Sequence, residues 1–481
     1  MGRADFLYGC FVSKLKFQPT DSQDRFFRTA AEFIAEENDD ILVLNGYAGT
    51  GKTTAVASIV RALASLKIKT VLLAPTGRSA KVLAGYAGMN ASTIHKHIYR
   101  QKAVSGDGFG EFSLDRNQDR DTLFVVDEVS LIGIDSSSAN ATAAFGTGNL
   151  LEDLVTFVRK GPGCRLLLIG DSAQLPPVGM DCSPALSKEY VAMLGGSLFC
   201  QLTEVVRQQK QSGILENATR LRELIVSDPY GSPAYAIDEI GLSTSGFDDV
   251  ERIGGGDLIE TVTDAYSTYG EDEVVVLCRS NKRANRYNMG IRAAVQFKEE
   301  ALVRGDKLMI VKNCYQFCEK VEGLDYIANG DIAKLLHISS FEERYGLHFA
   351  TARLMLPDYG EQEITAKVIL DTLSSETASL SYDQQNALYA GVNEDYSHIA
   401  SKKKRWQAVR EDKYYNALQL KYAEALTCHK SQGGQWKCVF IDNPFWQEEL
   451  MVEDLKWLYT ALTRAVEKVY FVNFKDELFN D

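Results

Sequence analysis

The sequence predicts an α/β protein: two parallel sheets, each covered by helices, with a small antiparallel β-barrel inserted into the second. Three observations carry this. Short apolar runs recur through the first third of the chain, at ILVLN (41–45), VLLA (71–74), LFVV (123–126) and LLLI (166–169), each followed by turn or polar residues. Amphipathic stretches such as Thr53–Ser65 and Leu150–Arg159 lie between them, and strands buried on both faces alternating with helices imply a parallel sheet. The same texture returns at VVVL (274–277), CVFI (438–441) and VYFVN (469–473), after an interval of different character.

That interval contains Leu302–Val311, Ala328–Ile338, Leu347–Leu356 and Ile364–Leu370, separated by turn-rich or charged segments and expected as antiparallel strands. Residues 374–422 look helical or irregular and include Lys402, Lys403, Lys404 and Arg405 followed by Trp406. Gly106–Arg120 is polar and glycine-rich, consistent with an exposed hairpin or loop between two core strands. The expected organisation is therefore a first domain at 1–210 with a hairpin insertion near 100–121. A second domain is assembled from 211–301 and 419–481, and an insertion at 302–418 carries the barrel and a basic helical extension.

Composition sets the outer bounds. A chain of 481 residues is too long for one hydrophobic core, and 45% hydrophobic with 24% charged residues is ordinary for a globular protein. No apolar run approaches the roughly 18 residues a membrane helix needs. The opening MGRADFLYGCFVSKLKF lacks the apolar centre of a secretory signal, so a cytoplasmic location is expected. Nine cysteines are scattered without a CxxC pair, and with six scattered histidines they form neither a zinc pattern nor a disulfide framework. The net charge of −13 excludes a uniformly basic surface, so any nucleic-acid contact must use a local groove.

The strongest chemical signal is Gly46-Tyr-Ala-Gly49-Thr50-Gly51-Lys52-Thr53, which fits GxxxxGK[ST] directly after a strand and before a helix. Glycines let backbone N–H groups close around phosphates, and the helix N-terminus adds its positive dipole end. Lys52 is the expected neutraliser of the terminal phosphates of ATP and Thr53 the expected ligand of Mg2+, with Thr54 completing the loop. A second strand ends in Asp127-Glu128: the first carboxylate suits Mg2+, and the second can orient or deprotonate the attacking water. A third, LLLIG, runs into Asp171-Ser-Ala-Gln174, which places the Gln174 amide near the same end of the sheet, where it can sense a terminal phosphate.

Taken with downstream segments in order, the chain resembles superfamily 1 helicases, most closely the superfamily 1B branch of RecD-like and phage Dda-like enzymes. The resemblance implies two RecA-like P-loop motor domains plus an inserted SH3-like barrel, to which GDKLMIVKN (305–313) and NGDIAKL (329–335) are similar. Gln23 in FQPTDSQ matches the family's adenine-reading glutamine. LAPTGRSAKVL (73–83) places Thr76, and ASTIHKHIY (91–99) places Thr93 and His95, at strand-contacting positions. LTEVVRQ (202–208) aligns Arg207 with an arginine that touches the γ-phosphate. LTCHKSQGGQW (426–436) puts Thr427, His429 and Ser431 where strand and nucleotide are coupled, and LYTALTRAVEKVYFV (458–472) places Arg464 as the arginine finger. Phe109 and Phe112 are candidate wedge aromatics in the hairpin, and Trp406 a further candidate for stacking bases.

The implied activity is an ATP-dependent DNA helicase moving 5′ to 3′ on single-stranded DNA and opening duplex at single-strand/duplex junctions. A monomer is expected, with single-strand-binding or repair proteins as further partners. Alternatives are an RNA helicase of the same superfamily and a nucleotide-switched DNA-binding ATPase that does not unwind. The stretch 371–418 is longer than the family pattern and has no assigned role.

Overall fold

The computed structural model describes residues 2–36, 38–101, 112–134, 146–205, 212–227, 234–314, 316–317 and 327–480. The first sheet has six parallel strands in the order Ala91–Thr93, Thr70–Ala74, Leu123–Val126, Arg165–Gly170, Ile41–Gly46, Ser197–Leu202. Its apolar runs are continuous because both faces are covered. Leu42, Leu44, Leu72, Val125 and Leu167 face one core, while Ile41, Val43, Leu73, Phe124 and Leu168 face the other. Two of the six strands were not anticipated. Ala91–Thr93 is only three residues long, and Ser197–Leu202 is an edge strand whose residues are mostly half-exposed, which blurs its apolar signal.

The second sheet has five parallel strands in the order Val250–Ile253, Ala465–Val472, Trp436–Asp442, Val274–Cys278, Ala425–Thr427. It too splits its side chains between two cores, with Val274 and Phe440 on one face and Val275, Val439 and Phe471 on the other. The second of these cores does not stop at the domain edge. It takes in Tyr47, Ala173 and Leu175, which belong to the nucleotide loops of the first sheet.

The inserted barrel is closed by five strands, Lys307–Ile310, Ile332–Arg344, Leu347–Leu356, Gln362–Ile369 and Leu418–Tyr422. The last is a correction to the expected organisation, since it continues past residue 418 and falls in a segment expected to be helical or irregular. It pairs antiparallel with Lys307–Ile310 and parallel with Gln362–Ile369. Its sequence LQLKY hides the strand because Gln419 and Lys421 are themselves buried. The Gln419 side-chain Oε1 accepts the Leu380 N–H at 2.9 Å, and the Lys421 ammonium donates to the Ser375 carbonyl. The helices Tyr382–Asp395 and Lys402–Glu411 lay Leu388, Val392 and Val409 against Leu347, Phe349 and Ile369. Much of the unassigned stretch thus forms a helical cap on the barrel.

The expected hairpin is present at its base, where Tyr99–Gln101 pairs antiparallel with Phe112–Leu114. Phe109 and the Phe112 side chain lie outside the described residues, as does Arg207.

Candidate nucleotide site

The phosphate loop leaves the strand Ile41–Gly46 and enters the helix Lys52–Ser65, with Gly49 at φ +73° and Gly51 at φ +74°. Side chains are excluded here for two reasons. The positive φ disfavours them, and a Cβ on Gly46 would lie 2.6 Å from the Lys52 Cγ. Thr50 is buried and donates its hydroxyl to the Tyr47 carbonyl at 2.7 Å, bracing the turn. Lys52 folds back on the loop: its ammonium donates to the carbonyls of Gly46 and Tyr47 and lies 3.5 Å from Asp171. Thr53 is half-buried in the first helical turn, and Thr54 is exposed.

Asp127 and Glu128 follow the strand Leu123–Val126, so two carboxylates leave the sheet at one end. Glu128 sits at φ +55°, a conformation that costs a non-glycine residue energy and is concentrated at functional sites. Asp127 is partly open to the cleft yet surrounded by protein. That desolvation, reinforced by the Glu128 charge, pushes its carboxyl up to about 7. A carboxyl so disfavoured when ionised, as Asp127 is, fits a site that receives a cation. Gln174 is buried, and its Oε1 has no hydrogen-bond partner among the described residues. A buried amide oxygen without a partner fits a group that meets a ligand or its attacking water.

Gln23, expected to read adenine, is committed to bonds within the protein. It is fully buried, its Oε1 accepts the Thr20 N–H at 3.1 Å, and its Nε2 donates to the Thr50 carbonyl at 2.9 Å. The first bond belongs to the capping box of the helix Asp21–Ala35, and the second ties that helix to the phosphate loop. Gln23→Ala is therefore expected to lower fold stability by about 1–3 kcal/mol, because a buried carbonyl and a part-buried N–H lose their partners. Chemical denaturation measures this. A stability equal to wild type with a purely nucleotide-dependent defect would restore the adenine contact.

The second domain closes over these loops through polar bonds. The Tyr459 hydroxyl accepts the Ala48 N–H at 2.7 Å and donates to Asp171 Oδ2 at 2.8 Å. The loop beside Gln174 is held on both its polar groups: the Leu175 N–H donates to Thr460 Oγ1 at 2.7 Å, and the Leu175 carbonyl accepts the Gln432 amide at 2.7 Å. Asp171, Tyr459, Thr460 and Gln432 were not singled out in the sequence. Tyr459 and Thr460 lie in a stretch that matches core-helix patterning, and their partners are hundreds of positions away.

Arg464 departs from expectation in its contacts. It is buried, and its guanidinium donates to the Thr460 carbonyl at 3.1 Å, the Gly434 carbonyl at 3.3 Å and Thr463 Oγ1 at 3.4 Å, all within its own domain. None of these contacts reaches the phosphate loop. Arg464 has no carboxylate partner among the described residues, so its buried donors are satisfied on nearby carbonyls of its own helix and of the Gly433–Gly434 turn. Thr460, one helical turn earlier, does reach across to Leu175.

The residues expected to touch a nucleic-acid strand gather on two segments. Thr76 caps the helix Gly77–Ala87, accepting the Ser79 N–H at 3.1 Å. Gly433, at φ +75°, approaches so closely that a Cβ there would lie 2.0 Å from the Ser79 hydroxyl and 3.2 Å from Thr76 Oγ1. The 427–434 segment is thereby brought against Thr76, with Ser431 buried and donating to the Cys428 carbonyl, Thr427 half-buried and His429 exposed. Beside them Arg78 stacks over Trp436 at 3.9 Å and donates to the Gln435 carbonyl at 3.4 Å, a cross-domain contact absent from the sequence reading. Thr93 caps the short helix Ile94–Ile98. His95 on that helix shows a partly accessible edge, yet burial holds its imidazole down at about 4, so it is neutral near pH 7. The barrel meets the same region: Lys81 donates to the Pro357 carbonyl at 3.1 Å, and a Cβ on Gly77 would lie 2.9 Å from the Tyr359 hydroxyl.

Comparison with known proteins agrees with this geometry. A family model described as an AAA domain matches residues 23–225, and a model of the UvrD-like helicase C-terminal domain matches residues 422–472. These two spans hold both halves of the cleft, in the order the site requires. The chain is similar to superfamily 1B P-loop helicases of the RecD and Dda type. Among the proteins it is similar to, the ATP-dependent RecD2 DNA helicase of Deinococcus radiodurans is 32% identical over 181 residues, covering 37% of this chain and 21% of the relative. The ATP-dependent DNA helicase dda of Enterobacteria phage T4 is 24% identical over 482 residues, covering 94% of this chain and 99% of its own. The chain therefore spans about a fifth of the first relative and nearly all of the second. A solved Pif1 helicase from Bacteroides, in complex with ADP-AlF3 and single-stranded DNA, aligns over 97% of this chain and 95% of its own at 15% identity and a TM-score of 0.46. Among the described residues, no helix is long and apolar enough to cross a membrane.

Proposed function

We propose that the chain is an ATP-dependent DNA helicase that translocates 5′ to 3′ on single-stranded DNA and opens duplex at junctions, working as a monomer in the cytoplasm. The observation that carries this reading is the clamping of the Gln174–Leu175 loop by the second domain through Thr460 and Gln432. A site sensing a terminal phosphate is thus bonded to the element that must move. Lys52, the loop N–H groups and Gln174 bind and orient the phosphates from one side. Arg464 approaches from the other by exchanging its carbonyl partners for the phosphate side of the cleft. Thr53 and Asp127 are the residues that would hold Mg2+, which supplies charge neutralisation on the phosphates when bound. Glu128 holds and deprotonates the attacking water.

Closing and reopening of the domains is a shift between two populations, each favoured by a different nucleotide state. Thr76 sits against the Gly433 turn, so motion between the domains changes the spacing of the two strand-contacting segments. Thr76, Thr93 and Ser431 grip phosphates, and neutral His95 offers a stacking face, a sequence-tolerant mode of binding.

Duplexes with a single-stranded 5′ or 3′ tail, incubated with and without ATP, test activity and direction together. Strand separation is expected only for the 5′-tailed substrate and only with ATP. ATP hydrolysis without separation of either substrate would remove the helicase reading, and separation of the 3′-tailed duplex alone would reverse the polarity.

A further inference from the structure

Tyr459 occupies a position that core packing alone does not require. It lies on the helix Val452–Leu462 of the second domain, is 1% exposed, and uses its single hydroxyl both ways across the cleft. Its oxygen accepts the Ala48 N–H of the phosphate loop, and its proton goes to Asp171 Oδ2. Burial, together with the Asp171 charge, holds the phenol well above its ordinary value, so it remains a donor at any physiological pH. Asp171 accepts the Ala173 N–H on its other oxygen at 3.0 Å and lies 3.5 Å from the Lys52 ammonium. One hydroxyl thus stands two bonds from the lysine expected on the phosphates and one bond from a loop N–H.

We propose that Tyr459 is a positioning residue that couples the phosphate loop to the closing of the two domains, through the chain Ala48–Tyr459–Asp171–Lys52. The proposal rests on the reading of the chain as an ATP-driven motor. Its physical basis is competition for donors. The Ala48 N–H can serve one strong acceptor at a time, and the Lys52 ammonium cannot stay close to Asp171 while fully turned to a phosphate. When Lys52 leaves, Asp171 loses its cationic neighbour and leans more on the Tyr459 hydroxyl. When the Ala48 N–H turns to another acceptor, Tyr459 is held by Asp171 alone. Either change alters the bonds fixing the helix that carries Thr460 and leads into Arg464. A tyrosine serves here because its ring fills an apolar site while its tip offers one donor and one acceptor.

Tyr459→Phe keeps the ring and removes the hydroxyl, and Asp171→Asn removes the charge it meets. The measurement is the thermodynamic coupling between a fluorescent non-hydrolysable ATP analogue and single-stranded oligonucleotide: the affinity for each with and without the other, alongside the melting temperature. The wild-type coupling factor is expected within the usual range of about 5–150, and it should fall towards 1 in Tyr459→Phe. Asp171→Asn should do the same, with the double variant no worse than either single one. A purely structural role would lower melting temperature and both affinities while leaving the coupling factor intact, and that result overturns the proposal. So would additive losses in the double variant. Should Tyr459→Phe fail to fold, Asp171→Asn alone decides by the same ratio. A wild-type chain in which neither ligand affects the other would overturn the motor reading, and this inference with it; loss confined to the variants distinguishes the two.

Discussion

Lys52→Ala is expected to abolish ATP hydrolysis and strand separation together, with turnover falling at least about 10²–10³-fold, the scale of removing one preorganised stabilising donor. The lysine lies at the mouth of the glycine loop, with its ammonium shared among two loop carbonyls and Asp171. Those contacts are replaceable, because Asp171 keeps the Tyr459 hydroxyl and the Ala173 N–H as donors. Circular dichroism should therefore show a folded protein with a modestly lowered melting temperature. What cannot be replaced is a mobile positive charge within reach of the phosphates. A folded Lys52→Ala protein that still separates duplex at the wild-type rate would end the assignment of the loop at 46–53 as the motor's nucleotide site.

The second large effect belongs to Arg464. Arg464→Ala should bind nucleotide within a few-fold of wild type yet lose about 10³–10⁵-fold in turnover, the range for an arginine supplied across a cleft. Its present partners are carbonyls and a hydroxyl of its own domain, so the side chain must exchange them to act. Thr460 already bonds to Leu175, which brings this end of the helix to the loop carrying Gln174. Because the residue is buried, Arg464→Lys serves as a companion variant that keeps the charge and much of the volume. It should fold and bind but hydrolyse slowly, since a point charge does not reproduce a planar guanidinium. Steady-state ATPase assays with single-stranded DNA, paired with nucleotide-binding titrations, separate binding from turnover. Normal turnover in Arg464→Ala would place the finger elsewhere.

Both variants probe residues that local sequence could identify, and the reason is the same for each. The phosphate loop is eight consecutive residues whose glycines, lysine and threonine act on one ligand, so its chemistry is written within a single turn. Asp127 and Gln174 each directly follow or soon follow an apolar strand, and strand ends of a parallel sheet share one edge. The barrel's first four strands announced themselves as runs separated by turn-rich or charged segments. Leu418–Tyr422 did not, because its two polar residues are buried against Leu380 and Ser375, partners that no local window contains.

Gln23 shows the opposite case. Its motif was legible, but its amide is committed to Thr20 and Thr50, a use that depends on how the helix Asp21–Ala35 docks beside the loop. Tyr459 is the sharper example: its hydroxyl meets Asp171 from 288 positions away, and in the sequence it is one more aromatic in LYTALTR.

By itself the sequence determined the two parallel sheets, the inserted barrel and the glycine loop, because each follows from periodicity or from chemistry confined to a few neighbouring residues. The tertiary structure alone decided which groups meet across the cleft: Tyr459 with Ala48 and Asp171, Thr460 with Leu175, Gly433 with Ser79. Such contacts arise from packing two domains face to face, where a shared apolar core brings distant segments together and each buried polar group must then bond to whatever neighbour that packing supplies.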